Sequence, residues 1–223
     1  MIRVEFKASS RHVFLPEEQA AIRAICDRAE LEAREHLPGL PLTLCLTVEE
    51  SSVVIPEYGS SGAALDRSHM RWRVDASRSE GVIELAELHL RATLFHELHH
   101  LARGWVKVSA GTPRTAAGAR PTLMDAVVSE GLATSFERDV AGHRAPWGEY
   151  PPEVRAWVDE LLALPDDAPY AQWMFRHADG RRWIGYRAGT FLADQVMARV
   201  RRSAAQLALM PTVELLALAL PFN

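Results

Sequence analysis

The string His96-Glu97-Leu98-His99-His100 constrains this chain more than any other feature, because it obliges one helix to serve a core and a polar site together. Residues four apart lie on one helical face about one turn apart, so His96 and His100 can share a single ion. Glu97 stands beside them, placed to take a proton from water. Leu90, Leu94, Leu98 and Leu101 form a stripe at helical spacing that faces a core. A second line, Leu85, His89, Thr93, His96 and His100, runs at spacings of four, four, three and four, and these polar groups are expected to line an internal cleft. Gly104 ends the helix as a C-terminal cap.

Around this helix the pattern predicts an α+β chain. Ile2 to Lys7 reads as a strand, and Pro16-Glu17-Glu18 opens a helix that runs to about His36, where Leu37-Pro38-Gly39 stops it. Leu42 to Val48 reads as a second strand, and Ser51 to Ser79, with its glycines and the alternation Met70-Arg71-Trp72-Arg73-Val74, as short strands and turns. Helix is expected from about Val82 to Gly104, then over Thr122–Gly142, Pro152–Leu164, Arg182–Arg202 and Thr212–Leu220. Residues 104–121, rich in Gly, Thr, Ala and Pro, exceed an ordinary connection and are a candidate lid. The economical reading is one domain over residues 1–223, sheet-rich over 1–80 and mainly helical over 81–223.

Composition narrows the function classes. With 48% hydrophobic residues the chain builds an ordinary core. A net charge of −4 gives no reason to expect nucleic acid as a partner. The start, Met1-Ile2-Arg3-Val4-Glu5-Phe6-Lys7, alternates apolar and charged residues instead of showing a secretory leader, and no apolar run is long enough for a bilayer. Cys26 and Cys45 lack the spacing of a zinc knuckle or disulfide framework and read as buried thiols in a reducing compartment. A cytoplasmic protein that does not enter membranes is expected.

Two imidazoles do not complete a catalytic zinc site, which uses three protein ligands and leaves a fourth position for water. The best candidate for the third is Glu130, on a stripe with Leu123, Val127, Thr134 and Glu137. A carboxylate directed into a core needs a positive partner, which zinc supplies. Gly131 would let the metal helix approach closely. Glu137 is placed to orient a ligand histidine, with Asp125 as its rival. His89, two turns from His96, is too far to share the ion, His99 faces away from the metal line as a packing residue, and His143 reads as an exposed helix end.

In combination, His96-Glu97-Leu98-His99-His100, Ser129-Glu130-Gly131-Leu132-Ala133-Thr134-Ser135-Phe136-Glu137 and Trp183-Ile184-Gly185-Tyr186-Arg187-Ala188-Gly189 resemble a family of predicted zinc-dependent proteases catalogued as a domain of unknown function, over roughly residues 70–200. That family looks like a branch of the gluzincins, whose metal is held by the two motif histidines and a Glu from a following helix. The resemblance implies a zincin-like fold, Zn2+ held by His96, His100 and Glu130, and Glu97 as general base.

The expected function is therefore a peptidase acting on peptide or protein substrates through a zinc-activated water. Tyr186, between Gly185 and Gly189, is the first candidate to stabilise the oxyanion and His177 the second. A substrate peptide would pair with an edge strand, expected over Gly62–Val74. Two other functions fit the same residues: a zinc-stabilised binding or regulatory module, which has no need of Glu97, and a metal-dependent hydrolase of small amides.

Overall fold

Four strands, β1 (Arg3–Lys7), β2 (Cys45–Glu50), β3 (Ser60–Ala64) and β4 (His69–Val74), form a mixed sheet in the order β1-β2-β4-β3. The computed structural model describes residues 1–107, 113–115, 121–165 and 168–220. It divides into two compact units, Met1–Thr112 and Pro113–Asn223. Among the described residues no helix is long and apolar enough to cross a membrane.

In the first unit β2 runs parallel to β1 and β4, and β3 pairs antiparallel with β4, Gly62 opposite Trp72. Met70, Trp72 and Val74 are buried while His69, Arg71 and Arg73 are half-exposed, the period of two that the sequence predicts. The expected edge segment, Gly62–Val74, therefore divides: β3 ends the sheet, whereas β4 lies inside it between β2 and β3. β2 starts three residues later than expected, because the Arg34 guanidinium takes the carbonyls of Pro41 (2.8 Å) and Leu42 (3.4 Å). Leu42 is left exposed.

Helix α1 (Pro16–His36) begins with proline in its first turn, and the Glu18 carboxylate accepts from the Leu15 amide at 2.7 Å. Its buried face is Ile22, Ile25, Cys26, Ala29 and Ala33. Burial pushes the Cys26 thiol up to about 12, which makes it unreactive, whereas Cys45 is partly exposed where burial was expected. The metal-motif helix starts as α2 (Gly81–Leu85) and continues through a π-helical turn, Ala86–Leu90, into α3 (Arg91–Arg103). That turn breaks the regular spacing on which the line from Leu85 to His100 was drawn. Arg91 joins α3 to Glu32 of α1 at 2.7 Å. A short strand, β5 (Trp105–Lys107), follows.

The second unit carries a short strand, β6 (Pro113–Thr115), and helices α4 (Leu123–Phe136), α5 (Val154–Leu162), α6 (Tyr170–Met174), α7 (Ile184–Val200) and α8 (Thr212–Ala219). α4 continues through a π-helical turn, Glu137–Ala141, to Gly142. Every residue from Ala126 to Glu137 is buried, so α4 has no solvent stripe. The reason is α7: a Cβ on Gly131 would fall 2.0 Å from the Gly189 carbonyl carbon, and one on Gly189 would fall 2.0 Å from the Val127 oxygen. The backbones touch, and Gly131 serves this contact with α7, not an approach of the metal helix. Gly131→Ala is expected to lower stability by about 3 kcal/mol, because backbone cannot yield as a side chain does. In a thermal melt that is roughly 10 °C; an unchanged melting temperature would refute the packing argument. The candidate lid, residues 104–121, lies largely outside the described residues, which omit 108–112 and 116–120.

Candidate metal centre

α3 is buried on all sides from Leu94 to Leu101, so its polar residues are surrounded by protein. His96 is 8%, Glu97 6% and His100 2% exposed. The rings of His96 and His100 meet edge to face with centroids 4.7 Å apart, as a spacing of four places them. The helix stops just beyond: Gly104 adopts a left-handed conformation (φ +73°), and its amide donates to the carbonyls of His100 and Leu101. The last metal-motif residue is thereby fixed by the cap.

Glu97 is positioned by β3. A Cβ on Gly62 would fall 2.7 Å from Glu97 Oε1 and 2.4 Å from Thr93 Cγ2, so the absence of a side chain at Gly62 lets the end strand lie directly on the helix at this carboxylate. Thr93 Oγ1 donates to the His89 carbonyl at 2.9 Å and keeps its methyl against the strand. Glu97 Oε2 is buried and has no hydrogen-bond partner among the described residues. A buried carboxylate oxygen left as an open acceptor is costly. Arg71, half-buried on β4 and 3.4 Å from Glu49, is held below its usual range by burial first and Arg73 second, while the charges of Glu49 and Glu97 oppose that shift.

Glu130 is 1% exposed on α4. Among the described residues, the group of side chains able to hold a metal is His96, His100 and Glu130, all buried, each with a ligand atom within 4.8 Å of the others. Two imidazole nitrogens and one carboxylate oxygen suit zinc. The set fits the metal that the sequence implies.

The other candidates separate. Asp125 is spent on the start of α4: its carboxylate accepts from the Thr122 amide at 2.9 Å while Thr122 Oγ1 accepts from the Asp125 amide at 3.2 Å. Glu137 is buried and meets His143 Nδ1 at 2.5 Å, so His143 is a partly buried partner of Glu137 and not an exposed helix end. His99 is fully buried, in keeping with a packing role. His89 stacks on Tyr58 with ring centroids 4.3 Å apart and planes 4° apart. His177 sits in a turn, 2.9 Å from Asp179 and with its ring 4.5 Å from Trp173. Tyr186 is buried, with its ring 6.4 Å from those of Trp147 and Phe175.

Sequence reading passed over Tyr170. It lies on α6, a helix left unassigned between Leu164 and Arg182, and its hydroxyl is buried with no hydrogen-bond partner among the described residues. The signal was Pro169 followed by Tyr170, Trp173 and Met174, a helix start with apolar residues three and four apart.

No curated protein matches the sequence. The model of one family, described as predicted Zn-dependent protease (DUF2268), matches residues 22–217, a span that holds the metal motif, Glu130 and the α7 glycines. The chain belongs to this predicted Zn-dependent protease family.

Proposed function

We propose that this chain is a zinc peptidase of gluzincin type, acting as one domain over residues 1–223, in which His96, His100 and Glu130 hold the metal and Glu97 is the general base. The observation that carries the reading is the buried His-His-Glu set together with Glu97, whose open carboxylate oxygen belongs to the residue following the first ligand. Zinc, when bound, polarises the scissile carbonyl and makes water acidic enough to attack near neutral pH. Glu97 takes the proton from the attacking water and returns it to the leaving amine.

β3 orients the substrate in this reading. An extended peptide pairs with a strand through main-chain hydrogen bonds, which fix its direction without demanding particular side chains. β3 ends the sheet and runs past Glu97 at Gly62, so a peptide aligned on it passes the base.

Elemental analysis beside cleavage of a peptide library tests the proposal. One zinc per chain together with cleavage at internal bonds is the expected result. Stoichiometric zinc with hydrolysis of small amides alone, or with no hydrolysis, would refute the peptidase reading. Gly62→Ala is a second test: the added methyl displaces Glu97 and Thr93, and kcat is expected to fall about 100-fold with zinc content unchanged. Full activity in that variant would show that Glu97 tolerates the displacement and that its placement by β3 is unimportant.

A further inference from the structure

α4, α6 and α7 converge on Gly185. A Cβ there would fall 2.1 Å from Met174 Sδ and 3.4 Å from Val127 Cγ2, so Met174 of α6 and Val127 of α4 both abut this glycine. Tyr170 lies four residues before Met174, on the same face of α6, and Glu130 lies three residues after Val127, on the same face of α4. The shared contact thus sets a tyrosine and the proposed third ligand one helical turn from a common point. A phenol carries its proton at neutral pH, so the hydroxyl can donate. The ring packs against Phe175 with centroids 5.8 Å apart. The hydroxyl itself is buried and has no hydrogen-bond partner among the described residues.

A buried phenol usually finds an acceptor, and one held without it forgoes stability. We propose that the Tyr170 hydroxyl donates a hydrogen bond to the substrate carbonyl oxygen as that oxygen gains negative charge, the role for which Tyr186 and His177 were the sequence candidates. The proposal rests on the peptidase reading and names its oxyanion donor. The phenol keeps its proton throughout, and only the hydrogen bond strengthens as charge develops. His177 is already engaged with Asp179, whereas the Tyr170 hydroxyl is an open donor among the described residues.

Tyr170→Phe removes one oxygen and keeps the ring. The expected result is a fall in kcat of about 10²–10³-fold, with KM within about threefold, zinc content unchanged and a melting temperature equal to or above that of the wild type. The last expectation follows because the lost hydroxyl has no partner to leave behind. A phosphonamidate peptide, which copies the tetrahedral geometry, should bind the variant weaker by the same factor as the fall in kcat/KM, while the cleaved product binds both proteins equally. Turnover within threefold of wild type, or a loss accompanied by zinc release or a lower melting temperature, would overturn the assignment. If wild type cleaves peptides and Glu97→Gln does not, a fully active Tyr170→Phe refutes Tyr170 alone. If wild type cleaves no peptide, the peptidase reading fails and this inference falls with it.

Discussion

Glu97→Gln is expected to retain zinc and lose about 10²–10⁴-fold in kcat, the range that a positioned general base supplies. The substitution keeps the shape of a side chain packed at Gly62, where a Cβ would already stand 2.7 Å from Oε1, so the strand and helix need not move. What it removes is the ability to accept a proton at an oxygen that no described residue engages. Elemental analysis and steady-state kinetics on the same samples separate the outcomes. Activity within tenfold of wild type would exclude Glu97 as the base, and loss of zinc would make it a structural support of the site. A regulatory module with no chemistry would show no peptide turnover in either protein.

Glu130→Ala is expected to weaken zinc by more than about 100-fold, beyond what loss of a residue supporting a ligand costs. Three side chains able to hold a metal offer atoms within 4.8 Å of one another, and removing the carboxylate leaves two imidazoles, short of the three protein ligands a catalytic site uses. Competition with a chelating dye measures the change. A melt with and without added zinc gives an independent readout, since a metal that binds only the folded protein raises its melting temperature. That rise should be present in wild type and nearly absent in Glu130→Ala. Equal zinc affinity in the two proteins would assign the third ligand elsewhere and undo the gluzincin reading.

Local chemistry explains which parts were legible beforehand. Both ends of α1 were readable, because Pro16, the early glutamates and Leu37-Pro38-Gly39 each act within a turn of the helix end they define. The leucine stripe and Gly104 marked the metal-motif helix for the same reason, although the π-helical turn over Ala86–Leu90 was invisible: no residue type specifies it. α6 was missed because five residues give too short a period to stand out from a loop. The role of Gly131 was misread, since a glycine announces a close approach without naming its partner, and the partner is Gly189 on α7.

That His100 neighbours both His96 and Glu97 was legible in the sequence itself, because residues four and three apart meet on a helix surface whatever surrounds it. So was the mixed character of the fold, written in the change from alternation to helical stripes. Tertiary structure alone decided that β3 and not β4 ends the sheet, that Gly62 rests on Glu97, that Asp125 caps α4 and that Tyr170 offers a buried hydroxyl. Each of these is a meeting of residues far apart in the chain, or a choice among hydrogen-bond partners, and depends on which backbones approach closely enough to exclude a side chain.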